Sequence, residues 1–154
     1  MGEKATKEEI FMQSWRNIYS TKARKDKDRI KPKFRPLYQL LDKLIEQDFD
    51  KKTYIESTML GYGFNIKLHP KQIRQKEICI WYRKDNDLPF NLAEKPLEAE
   101  EKELNNKTIK LYTLKELGEF GVEEAAEKIA TILNEWIVEQ STAPRTINLG
   151  KTVP

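Results

Sequence analysis

Leu60, Tyr62, Phe64, Ile66 and Leu68 alternate with Gly61, Gly63, Asn65 and Lys67, so every second residue is apolar over nine positions. A period of two is the signature of a strand with one buried face, and it commits the chain to a sheet. His69-Pro70 closes the run, since proline cannot donate to a ladder. Residues 53–59 are also β-prone, as the start of the same bent strand or as a strand of their own. Glu77–Arg83 contains Ile78, Cys79, Ile80, Trp81 and Tyr82, apolar on both faces, which predicts a central strand. Asp85-Asn86-Asp87 is turn chemistry. Residues 88–106 read as a long excursion with a short acidic helix near Glu98–Leu104, and Thr108–Thr113 reads as a further strand.

Helical patterns flank these strands. Thr6 and Glu9 have the spacing of a capping box. Phe11, Trp15, Ile18 and Tyr19 then share one face, predicting a helix over 7–20. Pro36 opens a second helix, because its missing N–H would have no partner in a first turn. Leu37, Leu40, Leu41, Leu44 and Ile45 form its buried stripe, and the Asp48–Lys52 cluster ends it. Gly121 precedes a third helix with Val122, Ala125, Ala126, Ile129, Leu133, Trp136 and Ile137 in line. Beyond Gln140 the helical period is lost and prolines appear, so 141–154 reads as a tail.

Consecutive strands without intervening helices imply antiparallel pairing. The expectation is an α+β fold: an antiparallel sheet of three to four strands with helices packed on one face, in the order α-α-β-β-β-α. Residues 1–140 form a single domain, with a basic loop at 22–35. Leu40, Leu44, Phe64, Ile66, Ile80, Ile129 and Leu133 are expected to be buried together. The partial order α-β-β-β-α is shared with double-stranded RNA binding domains. Their second helix opens on a lysine cluster, whereas this one opens on Glu123 and Glu124, and no family is assigned.

The net charge of +3 hides an asymmetry. Residues 1–35 carry eleven basic and five acidic side chains, while residues 94–140 carry six basic and twelve acidic. Such a chain can hold an anionic partner at one end or pair with itself. The basic end is concentrated in Lys22, Arg24, Lys25, Lys27, Arg29, Lys31, Lys33 and Arg35, with Phe34 and Tyr38 nearby. That composition suits phosphate neutralisation with base stacking, or else a solvated linker.

Catalytic chemistry finds no residue set. His69 is the sole histidine, is expected in a surface loop, and has no nucleophile and acid patterned around it. Cys79 is the sole cysteine, placed in a strand, where a thiol behaves as a small hydrophobe. A lone cysteine also fits a reducing, cytoplasmic compartment. Asp50-Lys51-Lys52 and Glu100-Glu101-Lys102 match the acid-x-lysine element of restriction-type nucleases, but neither is expected in a strand. Gly61-x-Gly63 lacks the third glycine of a phosphate-binding loop. With Asn65 and Lys67, these glycines strip one face of a strand, marking a bulge or a possible binding face. No catalytic residue, metal or cofactor is expected, and no apolar run is long enough to span a bilayer. The functional expectation is a non-catalytic binding or adaptor protein acting through protein–protein contacts, with nucleic-acid binding by the basic segment as the alternative.

Overall fold

The structure is a computed structural model and describes residues 5–26, 35–57, 62–83 and 86–151. The fold is α+β, with helices packed on one face of an antiparallel sheet. Helices α1 (Lys7–Asp26) and α2 (Arg35–Glu46) come first. Strands β1 (Tyr54–Ser57), β2 (Tyr62–Lys67), β3 (Glu77–Tyr82), β4 (Phe90–Lys95), β5 (Glu100–Leu104), β6 (Lys107–Leu111) and β7 (Lys115–Phe120) follow, and α3 (Val122–Lys151) closes the order. Among the described residues, β1-β2-β3-β4-β7 form a five-stranded antiparallel sheet, and β5 pairs with β6 as a separate ribbon.

The capping box is made as the sequence predicts. Thr6 N–H donates to the Glu9 carboxylate at 2.7 Å, and Glu9 N–H donates to Thr6 Oγ1 at 3.1 Å. Those bonds hold the Glu9 pKa below the usual glutamate value. α1 then anchors along β1 through two buried contacts. Trp15 Nε1 donates to the Thr53 carbonyl at 3.1 Å, and Ile55 N–H donates to Ser14 Oγ at 3.1 Å. Because β1 lies at the sheet edge, the Ser14 hydroxyl gives one of its backbone donors a partner that no strand supplies.

α2 buries Leu37, Leu40, Leu41 and Leu44, and its chain leaves through Asp48 in the left-handed region (φ 66°) into a short 3-10 turn at Phe49–Lys51. The seven core residues expected from sequence are all buried in one cluster with Trp15, Ile78, Phe90 and Leu92. β3 pairs with β2 on one side and β4 on the other, as its two apolar faces imply.

Four expectations need correction, the first being the strand count, since the main sheet has five strands rather than three to four. Residues 22–35 are not all loop, because α1 runs to Asp26 and α2 begins at Arg35, with 27–34 outside the described residues. The excursion at 88–106 is not a loop with a short helix: it holds β4 and β5, and Lys115–Phe120 adds another strand. The third helix does not end at Gln140, since its backbone continues to Lys151 through Pro144.

Candidate binding site

β2 ends at Lys67, three residues before Pro70, and the chain must return to start β3 at Glu77. The connecting loop is organised by Gln75, a buried polar side chain. Its Oε1 accepts from Leu68 N–H at 3.2 Å and His69 N–H at 3.0 Å. Its Nε2 donates to the His69 carbonyl at 2.7 Å and the Gln72 carbonyl at 2.6 Å. Two acceptor sites and two donors are the whole capacity of a glutamine amide, and all four serve the loop backbone. Lys95 Nζ adds a bond to the Gln75 carbonyl at 3.1 Å.

This staple fixes a loop whose tip exposes Ile73, at 82%. Beside it lies a groove of about 340 Å³ between the loop, Leu97 and the α3 residues Trp136, Glu139 and Gln140. Leu68, Leu97 and Trp136 make its apolar lining, with His69, Gln72, Arg74 and Lys76 around them. Arg74 pairs with Glu98 at 2.7 Å, Lys76 with Glu139 at 3.9 Å, and Lys76 Nζ sits 5.9 Å from the centroid of the Trp136 ring. These exposed pairs contribute at most about 1 kcal/mol each, so their effect is to orient the rim. Burial, and secondarily the charge of Lys7, lowers the His69 pKa. His69 lies in this loop with its ring partly buried, and the lowered pKa favours the neutral imidazole.

The glycine-stripped strand has a different surface. Phe64 and Ile66 enter the core, while Gly63, Asn65 and Lys67 occupy the opposite face of β2. Gly61 lies outside the described residues. Against β3, Gly63 marks no bulge, because the two strands pair in register from Tyr62↔Tyr82 to Ile66↔Ile78. The register shift falls instead between Leu92 and Ala93, opposite β7, where Gly118 takes φ 116°.

Lys67 does not reach into solvent. Its ammonium lies 3.1 Å from Glu56 and 5.6 Å from the centroid of the Tyr54 ring. Farther along this face, Lys95 lies 3.5 Å from Glu77 and 4.2 Å from the centroid of the Tyr112 ring. Lys67, Glu77 and Lys95 thus form a charged row on this face of the sheet, with Tyr54 against one end and Tyr112 against the other. Each of the two lysines has its own carboxylate, Glu56 for Lys67 and Glu77 for Lys95.

Cys79 sits on this face, in register with Asn65 and Ala93, outside the helix-covered cluster although buried. Burial first, then the Glu77 charge, pushes its thiol up to about 11 against the smaller pull of Lys95. Alkylation by iodoacetamide at about pH 8 is therefore expected to run two or more orders of magnitude slower, roughly, than for a free thiol until the protein unfolds. Rapid labelling of the native chain would contradict this packing.

The basic segment is divided. Lys22, Arg24 and Lys25 belong to α1, and Arg35 is exposed at the start of α2. Lys27, Arg29, Lys31 and Lys33 lie outside the described residues, as does Asp85. Glu100-Glu101-Lys102, expected outside any strand, is in β5, but its neighbour β6 carries no acid. Among the described residues no three His, Cys, Asp or Glu side chains gather as a metal site, and no helix is long and apolar enough to cross a membrane. Comparisons with protein-family models, curated proteins and solved structures find no match.

Proposed function

We propose that this chain is a non-catalytic binding protein acting through protein–protein contact, with the groove beside the 68–76 loop receiving an apolar side chain of the partner. The observation that carries this reading is Ile73, 82% exposed on a loop locked by Gln75, next to a groove lined by Leu68, Leu97 and Trp136. A rigid apolar projection beside a rigid apolar recess loses little conformational entropy on binding, which is the economy of an interface anchor. The oriented ion pairs around it supply a polar rim. A cytoplasmic setting belongs to the same reading, since the one thiol is buried and has no partner thiol in the sequence.

The test is site-specific photo-crosslinking in extracts of the source cells, with a benzophenone side chain at exposed Gln72 and a control at exposed Glu127. One protein adduct is expected from Gln72, lost when Leu97→Asp is added, and absent from Glu127. Equal adducts from both positions, or none from Gln72, would sink the reading.

The second reading, nucleic-acid binding, rests on eight cations among the fourteen residues from Lys22 to Arg35. It gains if the chain binds single- or double-stranded DNA or RNA at low salt. Changing Lys25, Lys27, Arg29 and Lys31 to Gln would then flatten the log–log salt slope by up to ~4 on duplex DNA.

A further inference from the structure

The β5–β6 ribbon stands apart from the main sheet, and a two-stranded ribbon alone is marginal in water. Asn105 and Asn106, with φ 55° and 64°, form the two-residue turn that joins its strands. The register pairs Leu104 with Lys107, Lys102 with Ile109 and Glu100 with Leu111. One face therefore carries Leu104, Ile109 and Leu111, and its two leucines are exposed at 59% and 42%. In a two-residue hairpin the pair flanking the turn exchanges both backbone hydrogen bonds, and alternate pairs do likewise. The backbone N–H and C=O groups of Lys107, Ile109 and Leu111 thus face β5. Those of Thr108 and Lys110 face outward, where no strand lies beside β6 among the described residues.

We infer that β6 pairs antiparallel with β6 of a second copy of this chain, forming a continuous four-stranded sheet across a two-fold axis at Ile109. Side-chain charge selects this edge over the other. In the register that pairs all five residues of β6, Lys107 faces Leu111, Thr108 faces Lys110, and Ile109 faces itself. No like charges stand opposite each other. The same arrangement on β5 sets Glu101 against Glu103 and Lys102 against Lys102, which cross-strand energetics disfavour. Pairing β5 with a neighbour's β6 attracts electrostatically but does not close, and leads to open chains of molecules.

Hydrogen bonding agrees with the charge argument. Thr108 and Lys110 become a hydrogen-bonded pair across the axis, using the groups that face outward. Ile109 meets its counterpart as a non-hydrogen-bonded pair, with Leu111 and Leu104 extending the apolar patch. Each Lys110 also keeps Glu101 opposite it within its own ribbon. The β7 edge is unsuited to the same use, because its bulge at Gly118 breaks the ladder.

Sedimentation velocity of the full chain tests the inference, with dimer expected for the wild type. Thr108→Pro removes an outward N–H and no hydrogen bond to β5, so a monomer with unchanged helical circular dichroism is expected. Ile109→Cys, on a Cys79→Ala background, should give a disulfide-linked dimer on mild oxidation, because non-hydrogen-bonded antiparallel pairs bring the two Cα atoms within disulfide range. Lys102→Cys on the same background should not. A wild type that stays monomeric as its concentration rises would overturn the inference, and would leave the edge to a different partner. A dimer that survives Thr108→Pro, or equal crosslinking from both cysteine positions, would overturn it as well. Should Thr108→Pro fail to fold, the cysteine pair still decides.

Discussion

Replacing Leu44 with alanine should lower the unfolding free energy by about 2–5 kcal/mol, measured by chemical denaturation. Leu44 is fully buried on α2 and belongs to the cluster that joins this helix to Phe64, Ile66 and Ile80 of the sheet and to Ile129 and Leu133 of α3. Truncation removes the transfer free energy of the lost methyl groups and leaves a cavity between three elements. Helices on both sides of that cavity are held to a sheet, so collapse is limited and the loss should not fall at the bottom of the range. Glu46→Ala, exposed on the same helix, should stay within about 0.5 kcal/mol. Equal denaturation midpoints for wild type and Leu44→Ala would mean that α2 does not pack as described.

The reason Leu44 was legible in the sequence is the reason other residues were not. An element announces itself when one of its faces is buried, because burial imposes an apolar period. α2, β2 and the first half of α3 each cover the common core and carry that period. β5 reads Glu-Glu-Lys-Glu-Leu and is exposed throughout, so nothing imposed alternation, and its composition favours helix as readily as strand. The surviving signal was Asn105-Asn106, a pair suited to positive φ in a hairpin turn. β7 was hidden differently, since its bulge shifts the alternation midway. Pro144 suggested an end to α3, but a proline costs a helix one hydrogen bond and strain without always terminating it.

The groove was illegible for another reason. Trp136 has the spacing of a core residue, and it is one, yet its ring also lines the groove. Periodicity assigns a residue to a face and cannot say that two elements leave a recess above it. Gln75 lies in a stretch of Lys, Gln and Arg and looks like any exposed polar residue. Its role comes from the loop bringing four backbone groups within reach of one amide, a property of the folded chain alone.

Gln75→Glu should therefore be far more damaging than the near-identity of the two side chains suggests. The remaining carboxylate can still accept from the Leu68 and His69 amides. Where Nε2 donated to the His69 and Gln72 carbonyls, a negative oxygen would now face two acceptors. Lost donors, repulsion and the burial of a charge point the same way, and a loss of about 2–4 kcal/mol is expected at neutral pH. Protonating the introduced carboxyl restores one donor, so its folded-state pKa must be raised above the unfolded value. A raised pKa means the folded chain holds the proton more tightly. Relative to wild type, the variant should then recover stability as pH falls through that raised pKa and lose it again as pH rises. Denaturation of both proteins across a pH series measures the difference and cancels the titration of groups they share. Gln75→Ala, which has no group to protonate, should show a comparable loss with no such recovery. A difference between Gln75→Glu and wild type that stays flat from neutral to acid pH would show that Gln75 does not staple the loop.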